Sequence, residues 1–255
     1  MCYEVTYMTK KQSVYAKHYS SNEQEKVKLE ESLQQLNFTP TFHTNGFAHK
    51  NLPVITNEDP DIFQAFEWGL IPSWTKDADS AAKLANSCLN ARGETIFEKP
   101  AFRKAAKSQR CLVVVDGGFE HHHYKGNTYP FHFKLKNDEP FSFAGLWEKW
   151  EHEGEFKYTC TIVTTTGNSM MTKIHNNPKA SGPRMPVILP KELERIWLNS
   201  IESKADMEEI QQLIRPYDEK EMVAYPVPKL RGKEAVGNSE EALSEKQYPE
   251  LDLNF

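Results

Sequence analysis

Cys2 is the residue whose position gives it unusual chemistry. A small residue after Met1 permits removal of the initiator methionine, and Cys2 would then carry a free α-amine and a thiol on adjacent carbons. Their ordinary pKa values, about 8 and about 8.5, leave usable fractions of neutral amine and thiolate near neutrality. An aldehyde meeting such a pair forms an imine with the amine, and the thiolate then closes a five-membered thiazolidine. The closure is intramolecular and gains from a high effective molarity. Taken alone, the cysteine at position 2 reads as an accident of sequence. The other cysteines give no better lead. Cys111 and Cys160 lie in the apolar runs CLVVV and YTCTIV and are expected in the core, and with Cys88 they form no CxxC pair. His121-His122-His123 suggests metal binding at first sight. Consecutive side chains on an extended segment point to alternate faces and do not converge on one ion, so no metal is expected, and no cofactor.

The elements that must position this chemistry follow from periodicity. Tyr3–Tyr7 is a strand candidate, and a helix is expected from Ser21 to Leu36, opened by a Ser21/Gln24 capping box. Val27, Leu29, Leu33 and Leu36 form its apolar stripe. Pro40 to Pro60 reads as loops around short extended pieces, and Phe66–Ile71 as a strand stopped by Pro72. The middle is β-rich: Leu112–Val115, Tyr129–Leu135, Phe141–Trp147 and Phe156–Thr164, with turns at Lys125-Gly126-Asn127 and Glu153-Gly154. Helices return at Lys191–Asn199 and Lys204–Ile214, where Pro216 stops the second. Strands gathered in the middle with helices around them predict one α+β domain, its mainly antiparallel sheet curled towards a barrel. The domain is expected over residues 1–238. Residues 239–255 form a charged surface segment of the same domain.

With 255 residues the chain can bury a substantial core. MCYEVTYMTKK turns polar too early for a signal peptide, and no apolar run approaches the roughly 20 residues that span a bilayer. A soluble cytoplasmic protein without membrane contact is expected, and no oligomer signal stands out, so a monomer is the default. The net charge of −5 speaks against nonspecific coating of nucleic acid, but phosphate binding needs only a local basic surface.

Several short motifs occur in a specific order. They are Trp68-Gly69-Leu70-Ile71-Pro72-Ser73-Trp74, Asn90-Ala91-Arg92-Gly93-Glu94-Thr95, Phe102-Arg103 and Asp116-Gly117-Gly118-Phe119-Glu120. Ile174-His175, Arg184-Met185-Pro186-Val187-Ile188-Leu189 and Val236-Gly237-Asn238 follow. Together with Met1-Cys2, this set resembles the SRAP family, the SOS-response-associated peptidases or abasic-site processing proteins, over nearly the whole chain. The resemblance implies covalent capture of abasic sites in single-stranded DNA, with Cys2 linked as a thiazolidine to the ring-opened sugar. It implies that Asn90 positions the adduct, that Glu120 is the catalytic carboxylate, and that His175 assists ring opening and proton transfer. The same residues are linked in that family to self-processing of the N-terminus, a cysteine-peptidase-like step, and to lyase-like release of the crosslink. The protein would then be nucleoid-associated while on DNA.

By residue type alone, Glu120 reads as a surface carboxylate, His175 as a loop histidine and Asn90 as a turn residue. Histidine and glutamate can nevertheless move the protons that hemiacetal opening and carbinolamine dehydration require. Arg92 and Arg184 match positions expected to face the DNA strand, where a guanidinium binds phosphate bidentately. Trp68 and Trp74 both read first as core aromatics, with base stacking on DNA as the alternative, Trp74 being the better candidate for it. Asn45-Gly46-Phe47 stands where the family has an Asn-Ala-Pro loop near the bases. Further departures are Gly118 in place of a larger aromatic, His121 in place of Trp, and a longer loop between His175 and Arg184. Besides a peptidase acting on other proteins, for which no separate substrate-recognition motif is seen, two other readings remain open at this level. An N-terminal-nucleophile amidohydrolase would also use a processed Cys2 and would release ammonia from glutamine. A noncovalent binder of damaged or modified DNA would share the Arg and Trp signals without using the thiol.

Overall fold

The computed structural model describes residues 3–9 and 12–251. The N-terminal half runs β1 (Glu4–Tyr7), α1 (Gln12–Tyr19), α2 (Glu23–Gln35), β2 (Thr41–Asn45), β3 (Asn51–Thr56), β4 (Gln64–Trp68), α3 (Ala78–Ser87), β5 (Asn90–Arg92) and α4 (Arg103–Ser108). It continues through the long strands β6 (Arg110–Val115), β7 (Gly117–Tyr124), β8 (Asn127–Leu135), β9 (Phe141–His152) and β10 (Glu155–Thr166). Then come α5 (Ser169–Ile174), β11 (Arg184–Pro186), β12 (Ile188–Leu189), α6 (Lys191–Leu198), α7 (Lys204–Gln212) and β13 (Met222–Pro226).

These strands form two sheets within a single mixed α/β domain. One has the order β13-β8-β7-β1-β2 and is antiparallel throughout. In the other, β4, β3, β6, β9 and β10 pair in succession, and β10 returns to β4 through a short parallel contact, giving a partial barrel. The edge of β10 changes partner along its length. Thr159 and Cys160 lie beside Glu67 and Trp68 of β4, whereas Ile162 to Thr164 lie beside Asn90 to Arg92 of β5. The switch occurs where Gly69, at φ 128°, turns the chain out of β4 and donates its N–H to the Cys160 carbonyl at 2.9 Å. That backbone conformation favours glycine.

The run Cys111-Leu112-Val113-Val114-Val115 is buried on both faces, as a strand between two apolar layers must be. Cys111, Val113 and Val115 pack with Phe131, Phe133 and Phe143 between the sheets; Leu112 and Val114 pack with Tyr15, Trp197 and Leu198 under the helices. Cys160 is likewise buried in the inter-sheet core. Both expected turns form, each with two consecutive residues at positive φ: Lys125-Gly126 and Glu153-Gly154.

Two local expectations need correction. Helix α2 is capped by Asn22, not Ser21: the Asn22 side chain accepts the Glu25 N–H at 3.0 Å, and the Glu25 carboxylate takes the Ser21 N–H at 2.7 Å. Asparagine caps as well as serine, and Glu25 serves this frame better than Gln24 serves the other. Val27 is 41% exposed although Leu29 is fully buried. Residues two apart on a helix point about 200° apart, so one face cannot hold both.

Candidate active site

Glu120 and His175 come together from elements far apart in sequence. Strand β7 carries Glu120 and is held on one side by β1, with Glu4 opposite Phe119, and on the other by β8, with Glu120 opposite Phe131. Gly118 lets β7 sit tightly there, because a Cβ at this position would stand 2.5 Å from the Phe133 ring. The space that a larger residue at 118 would need is filled by Phe133. His175 follows directly after α5, whose N-terminus is capped by Asn168. The next residue, Asn176, locks this segment to the strand edge: its side chain accepts the His123 N–H at 2.7 Å and donates to the His123 carbonyl at 2.9 Å.

The His175 Nδ1 lies 3.1 Å from Glu120 Oε2 and 3.2 Å from the Arg184 carbonyl oxygen. Both neighbours are acceptors, so Nδ1 carries the hydrogen, and Nε2 is the nitrogen that exchanges protons in the neutral ring. Glu120 is 7% exposed, and burial pushes its carboxyl up. The His175 hydrogen bond, nearby positive charge and, after them, the His121 backbone N–H, which donates to Oε1 at 3.0 Å, together outweigh burial and hold the group below the ordinary range. Burial, and after it the Glu120 carboxylate, push the Tyr3 phenol up.

These groups open onto a cavity of about 550 Å³ whose wall includes Tyr3, Glu4, Glu120, His175, Arg92 and Arg184. The loop after Asn176 forms its rim through Lys179 and Ser181, and Ser181 meets the exposed Arg92 guanidinium. The three consecutive histidines alternate as expected: His121 and His123 line the cavity, while His122 turns away and bonds the Lys173 carbonyl through Nδ1 at 2.9 Å. Among the described residues no three His, Cys, Asp or Glu side chains are grouped to hold a metal ion.

Of the residues expected from sequence, Glu120, His175, Arg92 and Arg184 therefore share one cavity. Cys2 lies outside the described residues; the chain directly after it, Tyr3 and Glu4, is part of the wall. Asn90 is held by its backbone beside Ile162, and its side-chain oxygen and nitrogen are both buried with no hydrogen-bond partner among the described residues. Asn90 is not part of the cavity wall, and an amide left so costs about 1–3 kcal/mol per unmet group. Arg184 faces the cavity with its charge already taken: its two Nη atoms meet the Glu94 carboxylate at 3.1 and 2.8 Å, and Nε donates to the Thr164 hydroxyl. Asn45 and Trp74 are not part of the cavity wall. The Asn45 side chain caps the turn at Gly46–Ala48 by accepting the Phe47 N–H, and Trp74 is 55% exposed elsewhere on the surface. Phe47 stacks on Tyr3 at 5.5 Å, so the departure from the family loop places an aromatic ring against the wall. Trp68 is a core residue, its indole N–H bonded to the Leu89 carbonyl.

The family model of the SOS response associated peptidases (SRAP) matches residues 1–234. The chain belongs to the SRAP family. It is 38% identical over 208 residues to the abasic site processing protein YoqW of Bacillus subtilis, covering 81% of this chain and 87% of YoqW. It is 41% identical over 181 residues to YoaM of the same organism, another abasic site processing protein, covering 70% and 74% of the two chains. A vertebrate relative, the abasic site processing protein HMCES of Pongo abelii, is 29% identical over 211 residues, 68% of this chain and 57% of that one. A crystal structure of a Bacteroides thetaiotaomicron protein superposes with a TM-score of 0.80 at 32% identity, covering 96% and 100% of the chains. One from Bordetella bronchiseptica shares the fold at 21% identity, with a TM-score of 0.68.

This SRAP chain also has cavity groups that the motifs did not single out. Glu4, 1% exposed, is ringed by His121 Nε2 at 2.5 Å, His43 Nε2 at 3.1 Å and Arg231 Nε at 2.9 Å. Burial raises its carboxyl, but those three partners dominate and keep it ionised well below the ordinary carboxylate range. A glutamate two residues after Cys2 was the one available signal in the sequence; its partners lie 39, 117 and 227 positions away.

Proposed function

We propose that this chain processes abasic sites in single-stranded DNA by covalent capture at Cys2. The observation that carries the reading is the Glu120–His175 pair, 3.1 Å apart in a cavity whose wall begins at the residue after Cys2. Membership of a family whose relatives are named abasic site processing proteins supports it.

Hydrolysis of the Met1–Cys2 bond frees the Cys2 amine. The ring-opened abasic deoxyribose presents an aldehyde at C1′. The amine nitrogen attacks this carbon and gives a carbinolamine, which loses water to become an imine. The Cys2 thiolate adds to the imine carbon, the nitrogen takes a proton, and a thiazolidine results, with one water released overall. Each stage needs a proton delivered or removed near neutral pH: His175 is suited to carry it, while the ionised Glu120 carboxylate holds Nδ1 and balances the imidazolium charge. Asn90, buried outside the cavity wall with both amide atoms unmet, is given the sugar by its motif alone. Arg92 at the cavity rim would receive a phosphate, whereas Arg184 serves by holding its own carbonyl against His175. No helix among the described residues is long and apolar enough to cross a membrane. We read the protein as acting as a monomer in the cytoplasm, nucleoid-associated when bound to DNA.

The test incubates the purified protein with single-stranded DNA carrying one abasic site. A detergent-resistant shifted band is expected, with mass spectrometry placing the link on Cys2 and Met1 absent. A band that persists in Cys2→Ala, or with the N-terminus blocked by an extension, would overturn the mechanism. Ammonia release from glutamine, or a complex that always dissolves in detergent, would point to the other two readings.

A further inference from the structure

Of the two arginines that the SRAP motif order assigns to DNA, Arg92 stays exposed at the cavity rim, but Arg184 is not available. Arg184 is 9% exposed along its side chain and spends four of its five N–H donors on Glu94 and Thr164. Arg231, outside every motif, is 53% exposed and uses only Nε within the protein, donating to Glu4. Among the described residues no acceptor meets its Nη1 or Nη2.

We propose that Arg231, oriented by the buried carboxylate of Glu4, binds a backbone phosphate of the DNA strand as it leaves the Glu120–His175 cavity. This rests on the function proposed above and names the residue that sets the strand's path. Arg231 belongs to two openings at once: the 550 Å³ cavity and an adjoining groove of about 510 Å³, which share Arg231, His121 and Thr128. The groove continues past Lys229 and Lys233. Leu230, 5% exposed, packs on Phe119 and Ala242 and anchors this segment; Lys233 is exposed beside it, whereas Lys229 is half-buried, donating to the Thr128 carbonyl against the Tyr129 ring. The one acidic group in the groove is Glu234.

The chemistry favours phosphate. Fixing Nε on a carboxylate orients the planar guanidinium and leaves its outer edge, with the parallel N–H bonds that fit two phosphate oxygens, directed away from Glu4. Part of the ordering entropy of a long side chain is then met before the ligand arrives. Glu4 is shielded from solvent by its own partners and so does not confront the incoming anion directly.

Binding of undamaged single-stranded DNA is measured by fluorescence anisotropy across a salt series for the parent, Arg231→Gln and Arg231→Lys. Gln keeps a donor for Glu4 without the charge, and Lys keeps the charge without the fork. Thermal melting of each variant establishes that it is folded. R231Q is expected to lose about five- to tenfold in affinity, with a salt slope shallower by about 0.7, the value for one phosphate on a single strand. R231K is expected to keep the slope and lose part of the affinity. One neutral methylphosphonate, stepped along an abasic oligonucleotide, should weaken the parent at a single linkage and leave R231Q unaffected there. Competition by inorganic phosphate that abolishes the difference between parent and R231Q without displacing the strand would place a free anion, not DNA, at Arg231 and overturn the proposal. Parental affinity and slope in folded R231Q would also overturn it. Crosslinking to Cys2 is scored separately, with the same protein preparations and an abasic oligonucleotide. Its absence with the R231Q loss intact sinks the capture mechanism alone, and its presence with an unchanged slope sinks only the phosphate contact.

Discussion

At the scale of single residues, the pairing of Glu120 with His175 was visible in sequence only through the order of the motifs around them. Nothing about a glutamate before three histidines, or a histidine before two asparagines, marks a proton-handling pair. The fold adds the direction of the hydrogen bond: Nδ1 is committed to Glu120 and to the Arg184 carbonyl. Glu120→Gln keeps the shape but presents an amide to Nδ1, and the imidazolium that forms on proton uptake loses its carboxylate. We expect E120Q and His175→Ala to slow crosslinking by about 10²- to 10⁴-fold, the usual range for a positioned acid or base. Affinity for undamaged single-stranded DNA should change little. Rates from quenched time courses at saturating DNA check this, and variants that link at the parental rate would remove the pair from the chemistry. Arg184 shows the limit of motif reading: its place in the cavity was legible, but its engagement by Glu94, ninety residues earlier, was not.

At the scale of elements, the strands with strong apolar runs, β6 and β8 to β10, were legible because burial and turn chemistry coincide there. The Lys125-Gly126 and Glu153-Gly154 turns fix the hairpins on either side. Strand β7 was missed. Two glycines and three histidines carry no β signal, and the strand exists because β1 and β8 pair with it on both edges. Helix α3 was missed for another reason, as ADSAAKLANS has few large apolar residues and buries only Ala81 and Ala85. The fit of β7 over Phe133 gives a sharp prediction. Gly118→Ala puts a methyl 2.5 Å from the Phe133 ring and should destabilise the protein by about 1–3 kcal/mol. Combining it with Phe133→Leu should recover part of that loss, because the two sites share one space. Urea denaturation of both single variants and the double variant measures the coupling, and additive losses would contradict it.

At the scale of the whole molecule, stability should respond to pH from two directions. Glu4 and Glu120 lie below the ordinary carboxylate range when folded, so their contribution is present above about pH 4.5 and is lost on acidification. Glu194 behaves oppositely. It sits between the Ser142 hydroxyl, 2.5 Å away, and Tyr15, and burial pushes its carboxyl up to about 7. Its contribution is full below its unfolded value near 4.5 and declines as pH rises to 7. Glu194→Gln should therefore leave stability near pH 4 almost unchanged and raise it at pH 8, by up to about 3 kcal/mol. Denaturation midpoints at the two pH values decide this, and an equal effect at both would refute the assignment. The single α+β domain was legible from the grouping of strands and helices. Its division into two sheets was not, since that depends on pairings such as Thr159 beside Glu67. His175 spans that division. One nitrogen touches Glu120 on the antiparallel sheet and the carbonyl of Arg184 on the barrel sheet. The imidazole is thus a tie between the two sheets: any displacement of one against the other would separate His175 from Glu120, so the seating of the two halves sets whether the pair is made.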